Sequence, residues 1–195
     1  MKSFQSLRLY KESNWGSLSF ATQSLKLFIS KYLPECIAVV TFGLLRILGP
    51  VLEKLLMAFS AGLTGIYLGT FPQYQEGAWW FLGSDLSVKV SRACSGVTFY
   101  TVLSSLLIWL LFTERPRVGR GRGILLLLIL CLPITAGVNA ARILLSAEVY
   151  SFALPHLSPE WLARLHLQAG IITFLPALLI VFTTARWRLR HEPTV

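Results

Sequence analysis

Charge is what this chain has least of. Only 14% of its 195 residues are charged, nine Asp and Glu against eighteen Lys and Arg, while 54% are hydrophobic. Soluble domains average about a quarter charged residues, so an ordinary soluble domain is excluded. Cysteine is scarce as well: Cys36, Cys94 and Cys131 are the only three, and no C-x-x-C pair is present. A membrane thiol oxidoreductase would therefore need another chain to supply a partner for Cys94. No P-loop, no His/Glu cluster with metal-ligand spacing, no internal repeat and no low-complexity tract occurs, so neither metal nor cofactor is expected. The first thirty residues also lack the apolar core and small-residue cleavage site of a signal peptide, and membrane attachment is expected from the internal helices.

Long charge-free runs are what the chain has instead. Gly96 to Phe112, Gly123 to Ala141 and Leu167 to Ala185 contain no charged residue. Each approaches the roughly 20 residues that a helix needs to cross about 30 Å of hydrocarbon. None alternates like a barrel strand, and lipid leaves open sheet edges unsatisfied, so the runs are expected to be helices. Residues 33–52 form a further expected span, with Glu35 and Arg46 near its ends. Leu55 to Phe71 is apolar but interrupted by Gly62, Gly65 and Gly69 and closed by Pro72, and reads as interfacial or re-entrant. In "AWWFLGSDLSVKV" a turn at Gly83-Ser84 and the alternation of Leu86, Val88 and Val90 suggest a β-hairpin, anchored at the interface by Trp79 and Trp80.

The expected fold class is thus an all-α polytopic membrane protein with about four transmembrane helices, an interfacial segment and a small extracytoplasmic β-hairpin. Its single domain reads as a cytoplasmic segment 1–32, a span 33–52, the interfacial helix and hairpin 53–93, a span 94–112 and a cytoplasmic loop 113–122. A span 123–145, an extracytoplasmic loop 146–165, a span 166–186 and a cytoplasmic tail 187–195 follow.

The net charge of +9 invites a nucleic-acid reading, but its distribution opposes one. Arg115, Arg117, Arg120 and Arg122 fill one short stretch beside a span, and Arg186, Arg188 and Arg190 fill another. Short basic loops stay in the cytoplasm, and no aromatic-interleaved basic face accompanies them, so no nucleic-acid partner is expected. The basic N-terminal segment is assigned to the cytoplasm on the same rule, which requires an odd number of spans before Cys94.

That orientation brings three side chains to the outer surface. Cys94 lies 19 residues from Thr113, Arg142 lies 20 from Arg122, and His166 lies 20 from Arg186. At about 1.5 Å per residue all three are expected some 28 to 30 Å above the cytoplasmic boundary. A thiol, an imidazole and a guanidinium in one layer are the parts of a cysteine acyl-transfer site. Singly, each has an ordinary explanation as a packed cysteine, a snorkelling arginine or an interfacial histidine. Cys131 falls in mid-membrane, where a thiolate is costly, and Cys36 near the cytoplasmic end of its span, which leaves Cys94 to meet an outside substrate. A helix N-terminus and nearby Arg92 favour a thiolate at Cys94, whereas a helix N-terminus disfavours imidazolium at His166. His156 in the outer loop competes as the base; His166 is preferred because its helix fixes its depth.

"ACSG" before one span, Asn139-x-x-Arg142 at the end of the next and His166-x-x-x-Gly170 at the start of the last resemble the exosortase/archaeosortase family. The resemblance covers roughly residues 50–185 and is greatest to the compact exosortase K type. It implies a bacterial inner-membrane cysteine protease or transpeptidase, acting at the extracytoplasmic face on exported proteins. Their C-terminal sorting signal combines a Pro-Glu-Pro-like motif, a transmembrane helix and a basic tail. The family's catalytic triad falls on Cys94, Arg142 and His166. Cys94 is then the nucleophile that forms a thioester, His166 the proton carrier, and Arg142 either the oxyanion donor or the group that tunes the thiolate. Asn139, Ser95 and Arg92 are expected to bind or orient the substrate. Besides these exported proteins, only membrane lipid is an expected partner. The competing reading is a non-enzymatic small membrane transporter or assembly subunit that uses Arg142 and His166 for recognition, with all three cysteines dispensable.

Overall fold

A computed structural model of the chain describes residues 31–82, 87–90, 94–114, 120–153 and 158–191. Helix α1 covers 31–47 and α2 Gly49–Leu68; strands β1 (Gln73–Gln75), β2 (Ala78–Leu82) and β3 (Ser87–Val90) follow. Three more helices complete the fold: α3 (Val97–Glu114), α4 (Arg120–Ala153) and α5 (Pro159–His191). Among the described residues four helical stretches are long and apolar enough to cross a membrane: Gly49–Leu68, Val97–Glu114, Gly121–Ser151 and Leu167–His191. The chain is therefore a mostly helical, multi-pass membrane protein with one small sheet.

α4 is the hub and touches α2, α3 and α5. It runs antiparallel to α3: Gly96 lies against Thr135 and Asn139, the Tyr100 hydroxyl donates to the Leu128 carbonyl at 3.1 Å, and Leu111 reaches Gly123. That Tyr100 bond satisfies a polar group where no water is available to do so. α5 runs parallel to α3. Phe99 stacks on Phe174 with centroids 4.8 Å apart, and at the far end Glu114 receives Arg186 at 3.3 Å and Arg190 at 2.9 Å. Leu56, Leu103, Leu110 and Cys131 are fully enclosed in the main core.

The first helical region departs from expectation. The span expected over 33–52 is interrupted at Leu48, which becomes the N-cap of α2, because Pro50 has no N–H to continue the preceding helix. α2 instead absorbs most of the segment read as interfacial. Gly62 and Gly65 do not break it; the helix closes at Gly69, whose φ of 65° is left-handed and whose N–H bonds the Gly65 carbonyl. Gly65 is the position that cannot change. A Cβ there would stand 2.6 Å from the Thr70 carbonyl oxygen and 2.9 Å from Pro72 Cδ, so the chain reverses tightly over it. The buried face of α2 carries Ser60, Ala61, Thr64 and Gly65, small residues that let its backbone approach α4.

In place of a hairpin there is a three-stranded antiparallel meander, ordered β1-β2-β3. The added strand β1 pairs Gln73 with Trp80 and Gln75 with Ala78. Its two-residue turn, Glu76 at φ 52° and Gly77 at φ 75°, has the paired left-handed geometry that fits strand twist. β2 and β3 pair from Trp79 opposite Val90 to Leu82 opposite Ser87; the expected Gly83-Ser84 turn and Leu86 lie outside the described residues. Phe81 and Val90 are buried against Ala61 of α2 and Ile143 of α4. Trp80 carries the Lys89 ammonium 4.8 Å from its ring centroid.

The segment expected as an outer loop, 146–165, is mostly helix. α4 continues to Ala153 and α5 begins at Pro159. Residues 146–153 hold neither Gly nor Pro to stop a helix, while Ser158-Pro159 is a helix-start pair, with proline at a position whose N–H goes unused.

Candidate active site

Cys94 sits between the sheet and the bundle. It is partly buried and packs against the cluster of Ala61, Phe81, Val90 and Ile143 beside Trp79. Where the thiol was expected in the first turn of a helix, α3 begins three residues later, at Val97. Gly96 intervenes with a φ of 72°, a left-handed turn that L side chains resist, and that turn steers the chain from Cys94 into the helix. A Cβ at Gly96 would lie 3.2 Å from Asn139 Cγ and 3.4 Å from Thr135 Cγ2, so the same glycine lets Cys94 come down onto α4.

Asn139 receives it. This side chain is fully buried, and its Nδ2 donates both to the Cys94 carbonyl oxygen and, at 3.1 Å, to Ser60 Oγ on α2. The amide thereby joins three segments that are far apart in sequence. It was expected to bind or orient the substrate; its observed bonds hold the backbone of Cys94. Ser95 is likewise buried, and its Oγ accepts the Val97 N–H at 3.5 Å at the opening of α3. Arg92 lies outside the described residues.

Arg142 follows Asn139 by one helical turn on α4. It is 8% exposed, with its guanidinium carbon 5.2 Å from the centroid of Phe174 on α5. A Cβ at Gly170 would meet Arg142 Nε at 3.4 Å, an ordinary contact, so the arginine side chain lies directly over Gly170 of α5. Position 166 stands one turn before Gly170 on the same face of α5, about 6 Å along the axis. Arg142 meets α5 at Gly170, with position 166 one turn nearer the start of that helix. α4 and α5 each carry an internal proline, Pro133 and Pro176. The His166 side chain and the whole of His156 lie outside the described residues.

Two features went unread in the sequence. Ser60 was not singled out, although Ser60-x-x-x-Thr64 beside Ala61-x-x-x-Gly65 is a small-residue pattern that marks a close helix contact. Tyr150, two turns beyond Arg142, lies within electrostatic reach of Cys94 on the α4 side. Of the other cysteines, Cys131 is enclosed in the core and Cys36 is exposed on α1.

An apolar multi-pass bundle with a cysteine, an asparagine and an arginine gathered at one end of its helices fits one class of membrane protein. The family model described as transmembrane exosortase matches residues 17–183, and the chain belongs to that family. No curated protein and no solved structure matches it.

Proposed function

We propose that the chain is a membrane-embedded cysteine peptidase or transpeptidase of the compact exosortase K type, cleaving C-terminal sorting signals of exported proteins at the extracytoplasmic face of a bacterial inner membrane. The observation that carries this reading is the Asn139 bond to the Cys94 carbonyl, one helical turn from an Arg142 that is packed on Gly170 of the His166 helix. Family membership over residues 17–183 supports it, because that match includes all three proposed catalytic residues.

The chemistry follows from these groups. Cys94 Sγ attacks the scissile carbonyl while His166 takes the thiol proton. Arg142 stabilises the oxyanion, and collapse expels the amine with the proton returned by His166. The resulting thioester passes its acyl group to water or to an acceptor amine. Orientation follows from the basic residues. Arg186 and Arg190 at the end of α5, next to Glu114 at the end of α3, mark the cytoplasmic side, so Cys94 faces out.

The test is co-expression with a tagged exported protein ending in a Pro-Glu-Pro-like motif, an apolar helix and a basic tail. Cys94→Ala and Cys94→Ser are expected to leave it whole, while Cys36→Ala and Cys131→Ala process it. Full processing by Cys94→Ala removes the reading. An impermeant thiol reagent applied to intact spheroplasts labels Cys94 if it faces out.

A further inference from the structure

α3 and α5 run parallel, and a cleft lies between their earlier turns. Glu114 holds Arg186 and Arg190 where they end. Towards their beginnings they flank a cavity of about 750 Å³, whose lining includes Ser95, Gly96, Val102, Arg142, Gly170 and Leu175. Phe99 and Phe174, stacked beneath the Arg142 guanidinium, contribute to its wall. Along α5 the lining extends from Leu167 to Leu178, and eleven residues at about 1.5 Å each make some 16 Å, or half the hydrocarbon thickness.

The cleft opens sideways. Leu167, Ile171 and Leu175 recur every four residues on α5 and are 66%, 54% and 52% exposed. Only 11% of the apolar window of α5 is buried, against 61% for α3, so this stripe is an outer wall of the bundle, facing lipid. An occupant reaching it comes through the bilayer. We infer that the α3–α5 cleft is a lateral docking track for the apolar segment of the substrate, whose adjoining backbone carbonyl is thereby delivered to Arg142 and Cys94. The inference rests on the reading of those two residues as the reactive centre.

Two features favour a polypeptide over a phospholipid. Among the described residues Arg142 is the one charged residue lining the cleft, and it is buried, so a headgroup phosphate would have to shed its hydration to reach it, whereas a peptide carbonyl carries no net charge to desolvate. The head of the cleft also opens on Ser95 and Gly96, the two residues that follow the nucleophile, where a scissile bond must arrive.

Photo-crosslinking tests the assignment. p-Benzoylphenylalanine replaces Thr98 or Leu175 at the cleft, and Leu126 or Ile129 on the exposed face of α4, in a Cys94→Ala background that holds the test protein uncleaved. Adducts with the test protein are expected from the two cleft positions and not from the two controls. In the otherwise unaltered enzyme, Val102→Trp, which fills the cleft, lowers processing about tenfold or more, while labelling of Cys94 by the thiol reagent stays as it was. Equal adducts from all four positions, adducts with phospholipid alone, or undiminished processing by Val102→Trp overturns the inference. Processing without cleft adducts condemns the track and spares the enzyme; cleft adducts with no Cys94-dependent processing do the reverse.

Discussion

α3 and α5 are two parallel, apolar helices of similar hydropathy placed in opposite circumstances. α3 lies inside the bundle, and the turn that leads into it is pinned by Asn139, Gly96 and the sheet. α5 lies at the edge, held by the Phe99–Phe174 stack, the Arg142 contact at Gly170 and the ion pairs at Glu114. The proposed nucleophile thus belongs to the enclosed part of the molecule and the proposed proton carrier to its edge. A nucleophile must meet a carbonyl within a fraction of an ångström, and packing and buried hydrogen bonds supply that tolerance.

Breaking the enclosed part is expected to cost most. Gly96→Ala forces a side chain into a left-handed turn and against Asn139, and a loss of roughly 2 kcal/mol or more is expected, read as a lowered midpoint of thermal unfolding in detergent together with lost processing. Asn139→Ala leaves the Cys94 carbonyl without its donor. Stranding a buried polar group costs about 1–3 kcal/mol, so processing should fall about ten- to hundredfold, while Arg142 contacts and membrane insertion persist. Gly170→Leu tests the edge by pushing the guanidinium off α5. It should abolish processing yet barely move the unfolding midpoint, whereas Gly170→Ala, whose Cβ makes ordinary contact at 3.4 Å, is nearly silent. Ser60→Ala removes one of two acceptors of the Asn139 amide, and a loss of about 1 kcal/mol predicts a several-fold decline in processing. A larger effect from Ser60→Ala than from Asn139→Ala would contradict the proposed division of labour.

Much of the architecture was legible because lipid enforces a simple rule. Charge-free runs of sufficient length are helices: the runs beginning at Gly123 and Leu167 lie within α4 and α5, and the run beginning at Gly96 enters α3 at its second residue. The rule weakens where water is near. Glu53 and Lys54 hid the continuity of α2, and the outer turns of α4 and α5 mix polar and apolar residues that lipid does not constrain. β1 has three exposed residues and no alternation, so only its Glu76-Gly77 turn could have announced it. For the site, residue types and spacing drew attention to Cys94, Asn139 and Arg142. The bond from Asn139 to a backbone carbonyl could not be read, since every residue has that carbonyl and only tertiary contact selects one. The bland look of Ser60 conceals its role for the same reason.

The Glu114 carboxylate accepts from two arginines a single turn apart, Arg186 and Arg190. Such a joint has a spare fastener: either guanidinium alone can keep the carboxylate company, so losing one should pass unnoticed and losing both should let the two helix ends drift apart. Redundancy there keeps α3 and α5 fastened beneath the cleft whichever arginine is lost.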